Sequence, residues 1–329
     1  MPTEISFINL QYKKTIGQQA QFGPGFTDPV FVARGEEDTM FVLCRASDGY
    51  PEGTRVTVCT TNEEYITDFA RGVTEQGLHE YNFDDGSLVW PTCIALDSQQ
   101  TVYISDEWLN RISMFTKDGE YIGKWAERPG TGDGELDRPS GMAFDAEDNL
   151  FIVDSGNNRV QKFTKDGAFL SKWGTAGSGE GELNMPWGIA IDTSGDVYIA
   201  DWRNDRIQKC TPDGKFLKQF GESGSGEGQL NRPTGVAVDK DGVVYVADWF
   251  NNRLQVFGPD GNFATMKTGD ATMSKWGKEK LDANPEMWGE RERAPQLERE
   301  KDFWAPTGVT VDDEFNVFVV ESPRSRIQV

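Results

Sequence analysis

The 329-residue chain has a single histidine, His79, and four cysteines with no CxxC pair among them. One imidazole cannot build a zinc site of several histidines, so zinc is not expected. The scattered thiols fit neither a metal knuckle nor a dense disulfide framework, and reduced cysteines are expected. No stretch approaches the roughly 18 apolar residues that a membrane span needs, and the opening MPTEISFINLQ lacks a basic segment followed by an apolar run. A soluble, cytoplasmic protein without membrane contact is the expectation. Basic side chains are also in short supply. Against 33 Lys and Arg stand 54 Asp and Glu, a formal net charge of −21, and such a surface repels phosphate backbones, which excludes nucleic acid as an expected partner.

Glycine and proline are frequent, 36 and 15 residues, as short strands joined by many turns require. Three segments align almost without gaps: RPSGMAFDAEDNLFIVDSGNNRVQKF, MPWGIAIDTSGDVYIADWRNDRIQKC and RPTGVAVDKDGVVYVADWFNNRLQVF. Their prolines, Pro139, Pro186 and Pro233, recur every 47 residues. A period of that length belongs to propeller blades and similar arrays. Within each unit a run such as GVAVD, a turn, a run VVYVAD, a loop, a run RLQVF and a PDG turn spell four antiparallel strands. Weaker copies begin at Pro91 and Pro306, and an eroded one at Pro29, which makes six.

The last unit ends at Val329 after its third strand, leaving an edge that another segment must cover. The N-terminal YKKTIG reads like FLSKWG at Phe169, with the same distance from its final glycine to the next proline. It is therefore expected to supply the missing fourth strand and close the ring. The fold class is all-β, a six-bladed β-propeller of four-stranded blades. The expected divisions are 1–27 closing strand and connector, 28–87 blade 1, 88–137 blade 2, 138–184 blade 3, 185–231 blade 4, 232–303 blade 5 with an insertion over about 269–303, and 304–329 blade 6.

The pattern P-x-G-(V/I)-A-(V/I)-D, then (V/I)-x-D, N-x-R-(I/V/L)-Q, DG and G-x-G-x-G-x-L-x-x-P resembles the NHL repeat over nearly the whole chain. The resemblance implies a protein-binding or RNA-binding module. The pattern is also distantly similar to the peptidylglycine amidating lyase propellers, whose N-x-R arginines face substrate but whose zinc histidines are missing here. Calcium-dependent lactonase propellers bring asparagines to the channel; here Thr92, Ser140, Trp187, Thr234 and Thr307 stand at those positions.

Departures from the repeat mark candidate function. The insertion before Pro306 mixes helix formers with Asn284-Pro285 and Ala294-Pro295, so one or two short helices are predicted. Its Trp276, Met287, Trp288 and Trp304 point to a lid or docking element over or beside the channel. The blade 1 loop ASDGYPEGT is longer than its counterparts, and VTEQGLHEYNFDDGS carries His79.

The second strand of five blades ends in an acid, Asp106, Asp154, Asp201, Asp248 and Glu321, and five residues later come Arg111, Arg159, Arg206, Arg253 and Arg326. Arg55 holds that place in blade 1, where Cys44 replaces the acid. Two roles stand against each other: internal ion pairs that hold the blades, or a ring gripping a small anion, with a calcium ion as cofactor at Asp154, Asp201 and Asp248. Trp108, Trp202 and Trp249 would give the mouth an apolar rim, and Cys44 with His79 would make a thiolate-imidazole pair. The glycine-rich connectors such as GSGEGELNMP carry acids and precede strands, which excludes a P-loop. The expected function is binding of a protein or small anionic ligand on the top face, by a monomer; a hydrolase or lyase with its site in the channel mouth is the alternative.

Overall fold

The computed structural model describes residues 8–46, 51–72, 84–126 and 128–329. Six four-stranded antiparallel sheets stand in a ring. The first strand of every blade neighbours the first strands of the blades on either side, blade 6 and blade 1 included. In blade 3 the strands are Pro139–Phe144, Asn149–Asp154, Arg159–Thr164 and Phe169–Trp173, and the other blades repeat this order.

Burial explains the sequence pattern strand by strand. Second strands such as Val244–Asp248 are buried at every residue, because both faces of a blade are covered by its neighbours, and they read as near-continuous apolar runs. Fourth strands such as Phe169–Trp173 alternate between half-buried and exposed, since they form the outer rim. The core is accordingly a set of inter-blade clusters; one joins Phe151, Val153 and Leu183 with Ile189 and Ile199. On the bottom face the turn from first to second strand is held by an aspartate in blades 2 to 6, whereas blade 1 has Gly35 there. Asp145 Oδ1, for example, accepts the N–H groups of Glu147 and Asn149, and Asp312 does the same for Glu314 and Asn316.

Around the channel the backbones nearly touch. A Cβ on Gly188 would sit 2.6 Å from the Thr234 carbonyl, so the P-x-G glycine is needed for close approach. Beside it the channel-facing hydroxyls latch one blade to the next. Thr92 Oγ1 donates to the Pro139 carbonyl at 2.9 Å, Thr234 Oγ1 to Pro306 at 3.1 Å, and Thr307 Oγ1 to Pro29 at 3.4 Å.

The ring closes through its N-terminal segment. Thr15–Ile16 pairs antiparallel with Arg326–Gln328 as the fourth strand of blade 6, and Lys13 N–H donates to the Val329 carbonyl at 2.7 Å. Further upstream, Ile8 and Leu10 pack onto the cluster of Leu254, Phe303 and Val317 between blades 5 and 6. Among the described residues no helix is long and apolar enough to cross a membrane.

The insertion after blade 5 forms helices α1, Lys275–Asp282, and α2, Pro285–Arg293, followed by a short 3-10 turn at Leu297–Glu300. Ser274 caps α1 by accepting the Gly277 N–H. Trp276, only 4% exposed, enters the seam between blade 6 and blade 1, where it meets Phe26 edge-on at 5.8 Å in a cluster with Ile16, Val42 and Phe318. Trp288 instead donates its indole N–H to Asp282, and Trp304 is 56% exposed.

Candidate functional site

The repeated acid and arginine form one network in every regular blade. Asp154 and Arg159 are cross-strand partners, and Arg159 Nε meets Asp154 Oδ2 at 2.6 Å. The remaining Arg159 donors go to the carbonyls of Thr131, Gly132 and Glu135 in the glycine-rich connector. Asp154 also accepts the Asp137 N–H and the amides of Asn157 and Gln161. The same arrangement joins Asp201 to Arg206 at 2.8 Å, Asp248 to Arg253 at 2.7 Å and Glu321 to Arg326 at 2.6 Å. D…N-x-R-x-Q is therefore a clamp that folds each connector onto the blade below it.

Blade 2 departs slightly. Asp106 takes the N–H groups of Val89, Trp90, Trp108 and Leu109; burial pushes its carboxyl up, opposed by those N–H groups and by Arg111. Arg111 donates to the Ser87 carbonyl, and its Nε has no partner among the described residues. Arg55 is fully buried. With Cys44 opposite in place of an acid, it donates to Thr57 Oγ1 and to the carbonyls of Ala20, Gln21, Gly23 and Gly25.

All six arginines expected at the channel thus lie beneath the connectors, all buried, because unpaired carbonyls there take up their donors. None lines the cavity at the channel mouth. That cavity, about 170 Å³, is lined by Val30, Arg45, Thr92, Trp187, Trp202, Thr234, Trp249 and Thr307. No residue of the insertion belongs to it either, since Trp276 holds the insertion at the seam.

The mouth follows a positional rule. In blades 2, 4, 5 and 6 the residue directly after the acid is half-buried and the next one is exposed to solvent. Trp202 and Trp249 are inward, whereas Trp108 and Phe250 are 67% and 63% exposed. In blade 1 the inward position is Arg45, stacked 4.5 Å from the Trp90 ring and 3.7 Å from Glu107, which is the inward residue of blade 2. Burial pushes the Glu107 carboxyl up, opposed by Arg45 and Arg138. Trp187 extends into the channel where other blades place Thr, Ser or Val. Arg45, Glu107 and Trp187 were not among the expected site residues; the signal for the first two is their place directly after Cys44 and Asp106, and for Trp187 its bulk at an otherwise small position.

Cys44 is buried, donates weakly to the Val42 carbonyl, and has its thiol pushed up by burial, the opposite of an activated thiolate. His79 and most of the segment around it lie outside the described residues, as do positions 47–50 of the long blade 1 loop. Asp154, Asp201 and Asp248 are each spent within their own blade, and no three His, Cys, Asp or Glu side chains gather to hold a metal ion among the described residues.

Residues 136–163, 183–210 and 230–257 match the model of the NHL repeat. The chain is a six-bladed β-propeller, and three of its blades carry NHL repeats. The matched stretches are the second and third strands of blades 3, 4 and 5 with the connector and first strand before them, the regions where the clamp is complete. No curated protein matches the propeller's sequence. Among solved structures, a protein of unknown function from Bacteroides thetaiotaomicron superposes with a TM-score of 0.61 at 18% identity, covering 95% of this chain and 70% of that one. A catalytically inactive virginiamycin B lyase from Staphylococcus aureus with quinupristin gives 0.56 at 13% identity, covering 94% and 82%. A chain of the nidogen/laminin complex gives 0.53 at 18% identity, covering 72% and 79%. At these identities the likeness is one of fold.

Proposed function

We propose that this propeller is a binding module that takes its ligand on the top face, at the mouth of the central channel. The observation that carries this reading is the convergence of Trp187, Trp202 and Trp249 on one cavity with Arg45 at its wall. Three indoles around about 170 Å³ favour a flat or ring-shaped apolar body, and an apolar cavity near 150 Å³ is large enough for a benzene ring. Arg45 favours an anionic substituent on that body, in place of the buried ring of arginines. The virginiamycin B lyase recorded with quinupristin is a propeller that meets a small molecule, which is in keeping with this use of the fold.

The outward aromatics support a protein partner on the same face. Trp108, Phe250 and Trp304 are exposed, Arg324 sits 5.7 Å from the Trp304 ring, and tryptophan and arginine are the residues that dominate binding energy at interfaces. A hydrolase or lyase reading has less support. The channel-facing hydroxyls of Thr92, Thr234 and Thr307 are committed to proline carbonyls, so none is poised as a nucleophile beside a base.

The test is a thermal-shift screen of aromatic carboxylates and phosphates against the full chain, repeated on a Trp202→Ala/Trp249→Ala double variant. Ligands of the mouth raise the melting temperature of the parent and lose that effect in the variant. Shifts that persist unchanged in the double variant move the site elsewhere.

A further inference from the structure

Between the helical insertion and the closing segment lies a crevice of about 430 Å³, separate from the channel mouth. Its wall on the ring side is Thr15, Gly17 and Gln18; Met273, Leu281, Met287 and Leu297 make its apolar side. The insertion sorts its charge across this boundary. Residues 269–303 carry nine acidic and seven basic side chains, yet Lys280, Arg291 and Lys301 line the crevice with a single acid, Glu300. Blade 6 adds Arg324 and Arg326, so five cations face one carboxylate in a protein of net charge −21.

Two of the five are already neutralised: Arg326 by Glu321, and Arg291 by Glu300 through two bonds of 3.0 and 2.5 Å. Lys280, Lys301 and Arg324 have no carboxylate within 4.0 Å among the described residues. Arg324 is moreover crowded by its own kind. Its Nη1 and that of Arg326 both donate to the Glu300 carbonyl, at 2.7 and 2.6 Å, and burial together with Arg326 lowers its pKa, opposed by Glu321, Asp302 and Glu300.

We propose that this crevice binds a small polyanion, with its anionic oxygens on Arg324, Lys280 and Lys301. Phosphate-bearing and polycarboxylate molecules share that chemistry. Because α1, the closing segment and blade 6 each contribute a wall, such a ligand bridges the seam of the ring and stabilises its closure. The acidic surface elsewhere repels the same anion, so binding is confined to this local excess of cations and weakens with salt.

Sodium pyrophosphate and trisodium citrate, each against chloride of matched ionic strength, separate the two sources in calorimetric titrations and thermal melts of the full chain. At least one is expected to bind and raise the melting temperature, and which one does so assigns phosphate or carboxylate. Arg324→Gln and Lys280→Gln are each expected to weaken binding about tenfold. Lys280 is exposed, so Lys280→Gln stays folded even where Arg324→Gln does not. Lys278→Gln, whose amine pairs with Asp282 outside the crevice, leaves binding unchanged. No binding of either anion, or equal binding by Lys280→Gln, overturns the proposal.

Discussion

Glu63 Oε1 accepts the backbone N–H of Gly17 at 2.8 Å, and through that bond a turn of blade 1 holds the end of the strand that completes blade 6. The same buried carboxylate accepts the N–H groups of Lys275 and Trp276 at the first turn of α1, at 2.5 and 3.4 Å. Ser274 Oγ adds a bond to the Gly17 carbonyl at 2.7 Å. One acid thus ties blade 1, the closing strand and the insertion together, with its charge favoured by the helix N-terminus.

Glu63→Ala leaves three N–H groups without an acceptor, two of them buried, at a cost of about 2 kcal/mol or more. Glu63→Gln keeps one acceptor oxygen and should fall between the variant and the parent. Denaturant unfolding of the three proteins checks the order; an alanine variant as stable as the parent would mean that the seam is held by Trp276 and its apolar neighbours alone.

Removal of residues 1–17 exposes the third strand of blade 6 as an open edge and uncovers Ile327 and Trp276. The truncated chain should melt at lower temperature and aggregate on standing, as read by scanning calorimetry and light scattering. An unchanged melting curve would show that closure contributes nothing to stability.

How much of this was legible beforehand differs between ring and site. The 47-residue spacing of Pro139, Pro186 and Pro233, the alternation of each run and the match of YKKTIG to FLSKWG carry the blades and the closing strand, because strand periodicity and edge pairing are local rules. The clamp was legible as a pair of alternatives only. Choosing between a structural and an anion-gripping arginine depends on where the other guanidinium donors go, and those partners, such as Gly132 for Arg159, lie 27 residues upstream. The mouth was displaced by one residue in blade 2: Trp108 looks equivalent to Trp202 and Trp249 as an aromatic after an acid, yet it stands two positions after Asp106 and so faces solvent. The seam position of the insertion depends on Trp276 finding Phe26, a contact across 250 residues that no local pattern announces.

Burial also fixes the behaviour of the thiols in base. All four cysteines are free and buried, and Cys93 and Cys210 are each pushed up to about 12 from an ordinary 9.0, mainly by burial. The unfolded chain releases these protons near pH 9 while the native chain holds them. Their contribution to stability is therefore complete below pH 9 and is lost as pH rises from 9 toward 12. Melts across that window should show falling stability, with a shallower fall in a Cys93→Ala/Cys210→Ala variant compared at each pH with its own value at pH 8. Iodoacetamide at pH 8.5 should label none of the four in the native protein and all four in urea; rapid native labelling would contradict the buried, neutral state.

The arginine clamp makes the sharpest prediction, because two of its members differ in what they leave behind. Arg159→Ala strands the carboxylate of Asp154, fully buried, with only amide and backbone donors remaining, and a stranded buried charge costs roughly 3–5 kcal/mol. Arg55→Ala strands no carboxylate, since Cys44 stands opposite, but it frees the carbonyls of Ala20, Gln21, Gly23 and Gly25. Those four groups hold the connector that leads from the closing strand into blade 1, so the loss is local opening of that connector at about 1–3 kcal/mol per carbonyl that water does not reach. Hydrogen exchange should then rise in residues 18–28 for Arg55→Ala, and uniformly across blade 3 for Arg159→Ala. Neither substitution should alter the affinity of a ligand seated among Trp187, Trp202 and Trp249. Loss of such binding with stability intact would return these arginines to the site.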